Sequence, residues 1–455
     1  MIRVTGKAAA TPRTSPEAIC QSPRRMTRSR IVPNHSAPSP LDNAVRPLFL
    51  EVEMNSGIGK TLEHLLILSC LVISITTLAD ETPEFALRTT STPAKNPAVA
   101  YLYVSQQPNT PGPNQVSGLT VHENGALSPI EGSPFSEDIG AMAVNGKYLF
   151  GATTDNLYLN SYTIEPNGAL RFFIANDLTK ITGDTSDGIE EYMVLDHSGA
   201  NLYNFRYEGS QAFYSFAINK TTGALTLTRG KQLGFDSDLS GWITFGANNK
   251  YVYSTVNGEY EQSLYDFERA TDGALLPGTA GPENGFPIPA PRTGEHFIPM
   301  AVAADPSNHA AVSMQREEWN GSPGDTIGEQ QLATYTADAK GNLTTTSGWK
   351  NMPTVNVGDL TWMRMSPSGK LLAVSGSRGL QIFHFNGREP ITSYATLVPN
   401  VSFGDVRWDD NNHLFAAGSN GKLYVFTITP TGITQAPGSP IAIPGAQSLT
   451  VQPLL

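Results

Sequence analysis

Cysteine is nearly missing from this 455-residue chain: both copies, Cys20 and Cys70, lie before residue 80. Everything after that point must therefore do without disulfides and thiolate metal sites. It has to be held by packing alone. Charge is sparse as well, at 16% of residues, and cations are the scarcer sign, with 30 Lys and Arg against 41 Asp and Glu. The formal net charge of -11 gives a surface that repels nucleic acid and anionic membranes, so neither is an expected partner. No long stretch after residue 80 carries helical periodicity. The chain shows no Ser-His-Asp phrase, no phosphate loop and no zinc spacing, so no metal and no cofactor is expected.

What the chain does contain is glycine, proline and a repeat. Gly 42 and Pro 33 punctuate short runs rich in Tyr, Val, Phe and Thr, which argues for an all-β fold. The phrase Asn124-Gly125-Ala126-Leu127 returns around Gly168, Gly223 and Gly273, and in looser form around Gly341, Gly387 and Gly432. These glycines are separated by 43, 55, 50, 68, 46 and 45 residues. A period of about 40–50 residues filled with strands predicts propeller blades. The longest interval leaves room for extra structure.

One repeat is clearest from Leu360. Strands over Leu360–Ser366, Leu371–Ser375, Leu380–Phe385 and Thr392–Leu397 alternate with turns, forming a four-stranded meander. The first repeat starts at Ala100 on what matches a second strand. The chain ends with Ala446–Pro453, which matches a first strand. Joined, the two ends complete one blade, close the ring and remove its sheet edges. The expectation is a seven-bladed β-propeller of four-stranded antiparallel blades over residues 98–455.

The residues before it divide into three. Residues 1–53 are Arg-rich and poor in hydrophobics, and read either as a disordered segment or as an over-extended start preceding Met54. Residues 54–79 resemble a secretory signal, with the apolar run Leu65 to Ile75 and small residues at Thr77 and Ala79. Cleavage would leave Asp80 first, and the mature chain would then have no membrane span. An uncleaved anchor is the other reading. Residues 80–97 look like a linker. A secreted or periplasmic monomer is the expectation.

The Gly-Ala-Leu phrase, Ser366-Pro-Ser-Gly-Lys-Leu-Leu-Ala-Val374 and Gly445-Ala-Gln-Ser-Leu-Thr-Val451 resemble the lactonase-type seven-bladed propellers, of which the 6-phosphogluconolactonase-like proteins are the best known. The resemblance implies working His, Arg and Glu residues where the innermost strands begin, at the entrance of the central channel. Spacing from the repeat places this chain's counterparts of the His at Ala141, Tyr192, Trp242, Ala301, Trp362, Asp405 and Ser448. The preceding positions are Gly140, Glu191, Gly241, Met300, Thr361, Gly404 and Gln447. None is His or Arg. Two residues further on stand Arg364 and Arg407.

Catalytic candidates for a lactone hydrolase are then His296, Glu191, Arg364 and Arg407. His296 precedes an inner strand, Glu191 could act as a base, and the arginines could steady an oxyanion. The plainer reading of Glu191 and His296 is solvated loop residues. Ligand-binding candidates are Tyr192, Trp242, Trp362, Asp405 and Trp319, although the tryptophans could equally pack between blades. Asp236-Ser237-Asp238 lacks the ligand run of a calcium loop. Four long segments, Gln106–Gln115, Lys180–Ile189, Pro277–Phe297 and Arg316–Gln330, should project from one face beside the channel mouth. The expected function is a binding scaffold for a sugar-like small molecule, a peptide or a protein. The alternative is an active sugar lactonase.

Overall fold

A computed structural model describes residues 96–107, 114–183, 189–207, 211–233, 243–257, 262–280, 285–318 and 326–454. Trp242, Trp319, the segment 184–188 and Asp236 to Asp238 fall outside them, as do residues 1–95. The described residues form seven antiparallel sheets, each a meander. Blade 2 runs Ile139–Val144, Tyr148–Thr153, Tyr158–Ile164 and Leu170–Asp177 from the innermost strand outward. Inner strands of blades 3 to 7 are Ile189–Leu195, Thr244–Phe245, Glu295–Ala304, Leu360–Met365 and Phe403–Trp408. Apart from a short helix, Leu178–Thr182, every regular element is a strand. Among the described residues no helix is long and apolar enough to cross a membrane.

Ring closure follows the expected composite. The last strand, Ala446–Pro453, supplies the inner strand of blade 1 and pairs antiparallel with the first, Ala98–Gln106, with Leu102 opposite Val451. Beside that seam the Gln107 amide donates to the Gly445 carbonyl. The long interval between Gly273 and Gly341 holds no additional blade among the described residues. It is absorbed by longer strands in blade 5, Glu295–Ala304, His309–Glu318 and Thr326–Ala337, and by the connection leading into them.

The recurring glycine acts at the joint between blades. Gly125, Gly168, Gly223, Gly273, Gly341 and Gly387 all have positive φ, between 61° and 90°, which only glycine adopts without strain. Each also presses on a residue at or near the start of the second strand of the preceding blade. A Cβ on Gly168 would lie 2.7 Å from the Tyr101 ring, and one on Gly223 would lie 3.1 Å from Tyr148. His413, Asn201, Tyr251 and His309 occupy the same place against Gly125, Gly273, Gly341 and Gly387. The close approach lets a tyrosine reach across. Tyr103 Oη donates to the Gly168 carbonyl at 2.7 Å, Tyr203 to Gly273 at 2.7 Å and Tyr253 to Gly341 at 3.1 Å. In blade 2 Phe150 stands in that place, and Ser161 Oγ donates to the Gly223 carbonyl instead, at 2.8 Å.

Between these joints the seams are apolar. Separate clusters fill the interfaces of blades 1 and 2, 2 and 3, 4 and 5, 5 and 6, and 7 and 1. A further cluster joins the seam of blades 3 and 4 to that of blades 6 and 7. It does so across the channel, where Tyr192 and Trp362 meet edge to face with ring centroids 6.2 Å apart.

Candidate functional site

Each inner strand that can be followed carries a β-bulge, and it falls at the positions the repeat spacing marks. The pairing register slips between Glu190 and Tyr192, Pro299 and Ala301, Leu360 and Trp362, and Phe403 and Asp405. It slips between Ile139 and Met142 in blade 2, and opposite Gln447 and Ser448 in blade 1. A bulge leaves one residue unpaired and turns the next side chain out of the pleat. The bulges thus form a ring that redirects side chains toward the channel. Their polar groups are used between blades: Trp362 Nε1 donates to the Gly404 carbonyl, and Thr255 Oγ1 donates to the Met300 carbonyl at 3.1 Å.

Five aligned positions, Ala141, Tyr192, Trp362, Asp405 and Ser448, line one cavity of about 290 Å³ together with Arg407 and Gln447. Its remaining wall includes Thr153, Thr154 and Asn156 from the turn between the second and third strands of blade 2. This places the cavity on the face where second-to-third-strand turns emerge. Asp405, 1% exposed, is already engaged. Its Oδ1 accepts from the Val406 amide at 2.8 Å, and its Oδ2 accepts from the Leu449 amide at 2.9 Å and Arg407 Nε at 3.1 Å. It anchors blade 7 to blade 1 and fixes the arginine. No histidine lines the cavity among the described residues.

Trp362 is 7% exposed and acts as a platform. The Arg364 guanidinium lies 4.1 Å from its ring centroid, and that of Arg407 lies 5.4 Å away. Such stacking suits the planar, weakly hydrated guanidinium. Arg364 makes no ion pair among the described residues, and its Nε is buried without a hydrogen-bond partner there. Burial, followed by the nearby charge of Arg407, pushes its pKa down to about 9, against opposing effects of Asp405 and Tyr192. Two cations are thus held close together with one carboxylate, Asp405, alongside them.

The structure brings Tyr192, Trp362, Asp405, Arg364 and Arg407 into one neighbourhood. His296 lies elsewhere, on the upper end of the long inner strand of blade 5, with Nε2 3.0 Å from Glu317 Oε2. Beside that pair, Arg316 meets Glu295 at 3.3 Å. Glu191 is the bulged residue of blade 3, and its side chain is outside the described residues. Thr153, Thr154, Asn156 and Gln107 also line the cavity. The available signal for them was their place at second-to-third-strand turns, on the face already marked by the long loops.

No protein-family model and no curated protein matches the sequence. Solved structures do match. A protein of Bacteroides uniformis described as a candidate 6-phosphogluconolactonase shares 14% identity and a TM-score of 0.55, over 78% of this chain and 100% of that one. The periplasmic gluconolactonase of Pseudomonas aeruginosa shares 13% identity and a TM-score of 0.54, over 78% of this chain and 99% of its own. A Bacteroides fragilis protein, likewise described as a candidate 6-phosphogluconolactonase, shares 15% identity with a TM-score of 0.53, over 78% of this chain and 98% of its own. In fold this chain is a seven-bladed β-propeller similar to these structures. At these identities the likeness carries the architecture, and function must be argued from the site.

Proposed function

We propose that this chain is a secreted binding scaffold that takes a small sugar-like ligand in the channel-mouth cavity of its lactonase-type propeller. The observation that carries this reading is the lining itself. Tyr192, Asn156, Thr153, Thr154, Gln447 and Ser448 offer hydroxyl and amide groups around a cavity of about 290 Å³. The one carboxylate among the described lining residues, Asp405, already accepts three hydrogen bonds from the fold. A preformed pocket with a few polar groups suits recognition. Secretion rests on the segment 54–79, and N-terminal sequencing of the exported protein should read from Asp80. The binding test is calorimetric titration of the purified chain with a panel of neutral, acidic and amino monosaccharides. At least one should bind, and Ser448→Trp, which fills the cavity, should abolish that binding while leaving the circular dichroism spectrum unchanged. A panel without binders, or binding unaffected by Ser448→Trp, would contradict the reading.

A second reading, a sugar lactonase, is favoured by the closeness of Arg407 and Arg364 to the cavity, since paired guanidiniums can stabilise a developing oxyanion. It requires opening of 6-phosphogluconolactone or simple sugar lactones above the spontaneous rate. The binding reading expects no such acceleration.

A further inference from the structure

A second depression adjoins the cavity. It has a volume of about 840 Å³ and lies over the seam between blades 7 and 1, and it shares Gln107 and Gln447 with the cavity. These two residues touch, with Gln447 Nε2 donating to Gln107 Oε1 at 2.6 Å. They form the boundary that both spaces share. The groove floor is set by ring closure: the Gln107 amide donates to the Gly445 carbonyl at 2.9 Å, and Gln106 Nε2 donates to the Pro444 carbonyl at 3.0 Å. Its shape is therefore fixed by the ends of the chain and needs no ligand to form, which lowers the cost of binding.

The groove's chemistry differs from that of the protein surface at large. In a chain with 41 acids against 30 Lys and Arg, its lining contains no acid among the described residues. It offers Ser419, Asn420 and Gln447, exposed backbone at glycines, and Lys422. Lys422 is exposed and forms no ion pair among the described residues. At the other end lie Arg407, which lines the cavity, and Arg364, which stacks on the lining residue Trp362 and makes no ion pair among the described residues. One lining cation therefore stands in each compartment, Arg407 held by Asp405 in the cavity and Lys422 in the groove, separated by hydrogen-bonding groups.

We infer that cavity and groove form one extended site for an acidic oligosaccharide. A carboxylate of its terminal unit binds at Arg407 and Arg364, and following units cross Gln107 and Gln447 to bring a second carboxylate to Lys422. This rests on the channel-mouth reading above and adds the ligand's charge and length. Amide and hydroxyl groups match sugar hydroxyls, and guanidiniums match carboxylates. A peptide would call for apolar side-chain pockets or an open strand edge, and the groove lining contains no large apolar residue.

The experiment is calorimetric titration of the full chain with D-galacturonate, trigalacturonate, the neutral trisaccharide maltotriose and triglutamate. Linking two engaged carboxylates should make trigalacturonate bind about tenfold or more tighter than galacturonate. Maltotriose and triglutamate should bind at least about tenfold more weakly than trigalacturonate. Lys422→Ala and Ser419→Trp, both at exposed positions, should each erase the advantage of the trimer and leave galacturonate affinity unchanged. Equal affinity for monomer and trimer would overturn the inference, as would a trimer advantage that survives both substitutions. Equal binding of maltotriose would remove the charge requirement, and equal binding of triglutamate would assign the groove to peptides. If no monosaccharide binds in the cavity at all, it is the underlying channel-mouth reading that fails.

Discussion

The joints between blades and the ring of bulges are both built from the same repeat, yet they are filled in opposite ways. At the joints one solution recurs: a positive-φ glycine pressed against a residue at or near the start of the neighbouring second strand, from Gly125 to Gly387. At the bulges the backbone solution recurs while the side chains vary from blade to blade, with Ala at Ala141 and Ala301 and then Tyr192, Trp362, Asp405 and Ser448. Where each repeat meets an identical packing problem, the residue stays the same. Where the side chains jointly face one space, each can be different, and a non-symmetric ligand requires that. Within a single chain, uniformity among repeats marks the scaffold and divergence at a fixed backbone feature marks the site.

The largest effect should come from breaking a joint. Gly168→Val places a branched side chain at φ 84° against the Tyr101 ring and should cost about 3–5 kcal/mol of stability in denaturant unfolding. Gly432 offers the control. It is not in the left-handed region, and its nearest neighbour atom is Thr429 Oγ1 at 3.8 Å, so Gly432→Ala should change stability by less than ~1 kcal/mol. Similar costs at the two glycines would show that the repeat is not a packing device. In the ring of bulges the sign should reverse. Arg364→Met removes a charge that makes no ion pair among the described residues and should raise stability by about 1–2 kcal/mol. A loss of stability would mean that the arginine serves the scaffold. The smallest effect belongs to the tyrosine across the joint. Tyr203→Phe deprives the Gly273 carbonyl of its donor and should cost about 1 kcal/mol by thermal unfolding. Ser215 already stands opposite Tyr203 as Ser161 stands opposite Phe150, so Tyr203→Phe combined with Ser215→Ala should cost more than Tyr203→Phe alone.

Most of the architecture was legible in the sequence because the constraint that builds it is repeated. Gly-Ala-Leu marks the turn at each joint, and the unmatched strands Ala98–Gln106 and Ala446–Pro453 announce their own pairing. The strands around Leu360 agree with those expected to within a residue at each end. The site was legible as positions rather than as chemistry. Spacing located Trp362 and Asp405, but nothing in the sequence shows that a bulge stands before each of them. Arg364 and Arg407 stood out only as a two-residue offset. In the structure that offset is the alternation of a strand: residues two apart share a side, so Trp362 carries Arg364, and Asp405 holds Arg407. Thr153, Thr154 and Asn156 belong to a short turn that no repeat singles out, and they became visible only once blade 2 was folded beside blade 1.

The most direct test is the thermal unfolding midpoint of the wild-type chain and of Arg364→Met, each with and without D-galacturonate. An arginine with no ion pair among the described residues predicts that the variant melts higher than wild type in the absence of ligand. It also predicts that galacturonate raises the midpoint of wild type alone. A variant that melts lower, with galacturonate stabilising both proteins equally, would contradict the account.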